Sequence, residues 1–181
     1  ESIDEKIREV SEIIVKELEE NEVLKRIKDN ISAGFTLDEV LSYAYDSLHE
    51  IIPYSRIGCA LISKDGETVR TRWVKSDASE IVLGHQYEAP LKGSSLEDII
   101  KSGRPRIIND LTEYIKQNPE SESTNKILKE GIRSSLTCPL IVNNKPIGFL
   151  FFSSTEPMTY SNAHIQFFES IAHEISLVIE K

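Results

Sequence analysis

No apolar run in this chain approaches the ~20 residues that a membrane-crossing helix needs, and no signal peptide opens it, so nothing here reads as a membrane contact. Cysteine is scarce. Cys59 and Cys138 are the only two, and each sits inside an apolar, strand-like run, which fits reduced core thiols in a cytoplasmic setting rather than a disulfide framework. Positive charge is also short: 21 Lys and Arg stand against 30 Asp and Glu, and the net charge of −9 repels nucleic-acid backbones and anionic lipid surfaces. The sequence has no internal repeat, no low-complexity tract, no clustered metal-ligand pair, and no set of nucleophile, base and orienting group that would mark an enzyme. It opens at Glu1 without an initiator Met, which leads us to expect an excised segment whose output domain or membrane anchor lies elsewhere in a longer chain.

What is present is organised around Ser134 to Ser154, SSLTCPLIVNNKPIGFLFFSS, two apolar runs meeting at Asn143-Asn144. Asn tolerates the left-handed conformation that a two-residue hairpin turn requires. If Val142 pairs with Lys145, then Leu140 faces Ile147, Cys138 faces Phe149 and Leu136 faces Phe151 on one wholly apolar side. Ser135, Thr137, Pro139 and Ile141 then share the other side with Phe152, Leu150, Gly148 and Pro146, a mixed surface suited to lining a cavity.

Helices flank this hairpin. From Ser2 to about Ile31 the chain is strongly charged, yet Ile3, Ile7, Val10, Ile14 and Leu18 recur at helical spacing, a narrow stripe like a coiled-coil seam. Leu24, Ile27 and Ile31 continue it. Thr36 with Glu39 forms a capping box and Phe35 with Val40 a hydrophobic staple, predicting a helix that buries Leu37, Val40, Leu41, Ala44, Leu48 and Ile51 and stops before Pro53. Arg56 to Ser63 and Thr68 to Lys75 read as strands joined across Lys64-Asp65-Gly66-Glu67, with a further short strand near Gln86 to Ala89. A second capping box, Ser94 with Glu97, predicts a short helix ending at Gly103, and Arg106 to Asn109 a brief strand. Asp110 to Gly131 is a polar excursion with a helical turn around Thr124 to Lys129, the kind of segment that serves as a lid or binding loop. A final helix, capped by Ser161, carries Ile165, Phe168, Ala172, Ile175 and Ile179 as a second heptad-like stripe beside Phe167, Ile171 and Val178.

This order of elements resembles the GAF domain, a small-molecule sensory module of bacterial signalling proteins, over roughly Phe35 to Lys181. The resemblance is carried by Ile100-Lys101-Ser102-Gly103-Arg104-Pro105-Arg106-Ile107-Ile108-Asn109-Asp110, by the pairing of SSLTCPLIV with KPIGFLFFSS, and by the closing helix from Tyr160-Ser161 onward. It implies an α+β fold: a central antiparallel sheet of five to six strands, terminal helices on one face, and pocket loops and short helices on the other. The narrow stripe on the first helix assigns residues 1–34 as a signalling and dimerisation helix, and the resemblance implies residues 35–181 as the sensory domain. His85, Tyr87, Ser94, Ser95, Tyr114, Thr124, Ser135 and Thr137 are the polar groups expected at the pocket. The two stripes are expected to pair in a homodimer, and an unidentified small molecule is the expected ligand.

The ligand's identity is open. The excursion has no Cys beside a His for bilin attachment, no acidic pair follows Phe152 as cyclic-nucleotide binding would need, and His85 alone is a weak basis for haem. A histidine kinase or a cyclic-di-nucleotide enzyme is the expected parent. The alternative is a ligandless dimerisation or interaction module; an enzyme like the free methionine sulfoxide reductases, which need exposed low-pKa thiols, ranks last.

Overall fold

The computed structural model describes residues 2–179. Its α+β fold follows the chain as α1 (Ile3–Ser32), α2 (Leu37–Ser47), β1 (Arg56–Ile62), β2 (Thr68–Ser76), β3 (Glu88–Pro90), α3 (Leu96–Ser102), β4 (Arg106–Ile108), α4 (Leu111–Gln117), α5 (Glu122–Lys129), β5 (Ser134–Val142), β6 (Lys145–Ser154) and α6 (Asn162–Ile179). The six strands form one sheet in the order β3-β2-β1-β6-β5-β4, with antiparallel neighbours throughout. Helix starts are chemically marked. Ser2 with Glu5 and Thr36 with Glu39 both close reciprocal capping boxes, satisfying backbone N–H groups that the first helical turn leaves without partners.

The expected capping box at Ser94 does not form. Gly93, at φ +82°, turns the chain so that the helix begins a residue later, Ser94 Oγ donates back to the Leu91 carbonyl at 2.6 Å, and Glu97 accepts from the Gly93 N–H. The polar excursion also holds more structure than one helical turn, because Asp110 and Ser121 each cap a short helix within it.

At the β5–β6 turn, Asn143 and Asn144 have φ of 50° and 64°, as a hairpin with two left-handed central residues demands. Val142 pairs with Lys145 and Ile141 with Pro146, but the ladder then shifts: Leu140 pairs with Gly148, Cys138 with Leu150, Thr137 with Phe151 and Leu136 with Phe152. Ile147 is the extra residue of a β-bulge, and beyond it β6 presents the opposite face from the one an unbroken register would give. Leu150 and Phe152, not Phe149 and Phe151, join Leu136, Cys138 and Leu140 in the core beneath the helices. Phe149 and Phe151 pack on the other side with Ala60, Val69, Leu91 and Ile99.

The main core is closed by α1, α2 and α6. Here the final helix departs from expectation. Phe168, Ala172 and Ile175 are fully buried within the chain, Ile165 and Ile179 are half-buried against the same core, and Phe167, Ile171 and Val178 are buried too, so these residues offer no free dimer stripe. The helix is covered on one flank by the sheet and on another by α1 and α2. The first helix is divided. Ile27 and Ile31 are buried, whereas Ile3, Ile7, Val10, Ile14 and Leu18 are exposed, Ile3 by 77%.

Gly148 records how tightly the strands approach at the bulge. A Cβ added there would fall 2.3 Å from the Ala60 carbonyl oxygen, a distance that forces the β1 and β6 backbones apart. Gly148→Ala is therefore expected to lower stability by about 3 kcal/mol or more, measured by urea unfolding, a penalty typical of overpacking where backbone must move.

Candidate functional site

The sheet face turned away from the long helices is hollow. Cross-strand pairing sets its floor in two rows: Arg106, Thr137, Phe151 and Gly58 lie side by side across β4, β5, β6 and β1, and Ser135, Ser153 and Arg56 form the adjacent row. Ile108 stands beside Ser135. Over this floor, the segment from Leu83 to Leu96 and the helices α4 and α5 enclose a cavity of about 450 Å³. That size is within the range of small-molecule pockets.

Of the residues expected at the pocket, Tyr87, Ser94, Ser95, Tyr114, Thr124, Ser135 and Thr137 line the cavity. His85 does not; it is exposed on the loop before Tyr87. Their settings differ. Thr124, Ser135 and Thr137 are buried, whereas Ser94 is engaged with the Leu91 carbonyl and Tyr87 lies 5.7 Å from Lys126 Nζ in cation–π geometry. Burial raises the Tyr87 hydroxyl pKa above its ordinary value, with the Glu122 charge adding to it. Sequence reasoning missed Arg56, Arg106 and Ser153 as lining residues. Period-two alternation from Thr137 across to Arg106 was a usable signal, but Ser153 was hidden by the bulge, which moves every residue of β6 beyond Gly148 to the opposite face.

The profile of the GAF domain family matches residues 36–180. The chain belongs to the GAF domain family. Solved structures share the fold: the phycocyanobilin-bound GAF domain of a cyanobacterial phytochrome superposes with a TM-score of 0.70 at 15% identity, covering 88% of this chain and 93% of that one. The GAF domain of a two-component sensor histidine kinase from Bacillus halodurans gives 0.67 at 18% identity, over 80% and 94%. Free methionine-R-sulfoxide reductase from Neisseria meningitidis, in complex with its substrate, gives 0.67 at 14% identity, over 89% and 88%. No curated protein sequence matches.

In this GAF domain the cavity wall is tied down by a buried ion pair. Arg56 Nε donates to Glu130 Oε1 at 3.2 Å, Arg56 Nη2 donates to the Leu83 carbonyl at 2.6 Å, and Glu130 Oε2 accepts from the Leu83 N–H at 2.8 Å. Both side chains are almost wholly removed from solvent. Burial pulls the Arg56 guanidinium pKa down and Glu130 pushes it back up. Gly58 is the residue that leaves room for this, because a Cβ there would meet Arg56 Nη1 at 3.0 Å.

The thiols are poor nucleophiles. Burial pushes Cys59 and Cys138 up to about 12, so neither is a thiolate at neutral pH. Among the described residues, no group of three or more His, Cys, Asp or Glu is placed to hold a metal ion, and no helix is long and apolar enough to cross a membrane.

Removing one partner of the ion pair leaves the other charge buried and alone. Glu130→Ala is expected to cost about 3 kcal/mol or more in chemical denaturation, and the double change Arg56→Met with Glu130→Leu is expected to recover most of that loss.

Proposed function

We propose that this GAF domain is the sensory part of a larger bacterial signalling protein, a histidine kinase or cyclic-di-nucleotide enzyme in the cytoplasm, which binds a small molecule in the cavity and passes its ligand state through the terminal helices. The observation that carries this reading is a hollow with desolvated polar groups left over: Ser153 Oγ and Arg106 Nε are buried at its lining without a hydrogen-bond partner among the described residues. Such groups cost stability unless something pairs with them. A ligand is the natural partner. The thiol settings favour binding over turnover.

Thermal unfolding across a metabolite library tests this. At least one compound is expected to raise the melting temperature of the wild type, since a ligand present at about 100 times its Kd stabilises by about 2.7 kcal/mol. Thr137→Leu, which fills the floor of the cavity, is expected to abolish that response while leaving the unliganded transition cooperative. No stabilising compound for the wild type would contradict the reading.

A second reading, a ligandless dimerisation module, is favoured by the exposed stripe from Ile3 to Leu18. The same stripe also supports the output half of the first reading. An unpaired, highly charged helix of this kind is marginal alone, and pairing with a second copy across a two-fold axis buries its apolar seam. Changing Ile7 and Ile14 together to Asp is expected to weaken the homodimer by at least about a hundredfold without unfolding the sheet. Light scattering after size exclusion decides it. A monomeric wild type at tens of micromolar, with a protease-resistant first helix, would contradict the dimer.

A further inference from the structure

Two arginines line the cavity, and their guanidinium groups are satisfied very differently. Arg56 is neutralised by Glu130 and held by the Leu83 carbonyl. Arg106 makes no ion pair among the described residues; its Nη1 donates at 3.3 Å to the Ser95 carbonyl, and its Nε is buried without a partner. Burial works against its charge, opposed by the fields of Tyr114 and Asp98, but a guanidinium keeps its proton in a protein. A partly desolvated cation with an idle buried donor is stabilised by an anion more than by any neutral group.

The surroundings of Arg106 complete a receptor. Thr137 is its cross-strand neighbour on the same face, and Ser135 and Ser153 stand in the next row, with Ser153 Oγ buried and unpaired among the described residues. Three hydroxyls thus line the same cavity as this guanidinium, Thr137 directly beside it. Phe151 and Leu111 add apolar wall beside them. At the lining, Lys92 is offset by Glu120 and Glu122, all three exposed, so the interior charge is left to Arg106.

We propose that the cavity selects small organic anions, with a carboxylate or phosphate head group bound by Arg106 and the hydroxyls of Thr137, Ser135 and Ser153, and a compact apolar body against Phe151 and Leu111. The inference rests on the reading of the cavity as a ligand site, and adds the ligand's charge and the residue that reads it. Arg106 presents a planar fork of donors, which suits two-point contact with either head group.

Nuclear magnetic resonance titration of the labelled chain with phenylacetate, phenyl phosphate and neutral phenylacetamide separates the alternatives. In the wild type, the better of the two anions is expected to bind at least about tenfold more tightly than the amide, with shifts centred on Ser135, Thr137 and Ser153. Which anion wins identifies the head group. Arg106→Gln is expected to bring anion and amide within about threefold of each other, and Arg106→Lys, which keeps the charge but not the fork, to fall between. If Arg106→Gln fails to fold, the wild-type ratio and Arg106→Lys decide. Equal binding of anion and amide by the wild type, or an undiminished preference in Arg106→Gln, overturns the anion assignment and leaves the sensing role standing. Failure of all three probes to perturb the cavity also overturns it, whereas the sensing role falls only if the metabolite library yields no stabiliser.

Discussion

Gly148 lies so close to the neighbouring strand that a Cβ would fall 2.3 Å from the Ala60 carbonyl oxygen, and the bulge beside it decides which side of the sheet each later residue of β6 serves. Because strand side chains alternate, one extra residue exchanges the two faces completely. Everything downstream depends on that exchange. With Ile147 bulged, Leu150 and Phe152 seal the core under α1, α2 and α6, and Phe151 and Ser153 turn toward the cavity. Without it, two phenylalanines would crowd under the helices and Ser153 would be buried in an apolar core.

The two faces are stabilised by different physics. The helix side is a continuous apolar core, in which Phe149's neighbour Leu150, together with Phe152 and Phe168, is fully buried and each contact is non-directional. The cavity side is held open by directional bonds: the Arg56–Glu130 pair fastens the Leu83 loop and the end of α5 to β1. Buried ion pairs of this kind add little net stability over apolar residues of equal volume. Here the pair holds the loop and the helix end that wall an unfilled space. Arg106 differs from Arg56 in having no carboxylate partner among the described residues, and that asymmetry between two arginines on one floor is the chemical basis for expecting an anion.

Much of the fold was legible because local signals agreed with one another. Asn143-Asn144 fixed the hairpin, Thr36 with Glu39 fixed a helix start, and alternation in Ser135, Thr137 and Leu136, Cys138 assigned the faces of β5. The bulge left no such mark, since Pro146-Ile147-Gly148 fits an unbroken strand equally well by hydropathy, and the close approach that demands Gly148 comes from β1, far away in sequence. The stripe on α6 misled for a related reason. A heptad spacing reports that two flanks are apolar, not whether the second flank meets another chain or, as here, α1 and α2 of the same one. Seven of the polar cavity residues could be read from alternation and loop placement, but the partner of Arg56 is Glu130, 74 positions away, and that pairing is revealed only by the folded chain.

One face of the sheet is sealed by the helices, and the other, on the reading proposed above, is a preformed receptor. A crystal structure of the chain grown with phenyl phosphate tests it most directly. The probe is expected in the hollow over β5, its phosphate oxygens within hydrogen-bond distance of Arg106 and Thr137, with the Arg56–Glu130 pair unmoved. A cavity closed by inward rotation of Tyr87, Tyr114 or Phe151, with no probe inside, would contradict it.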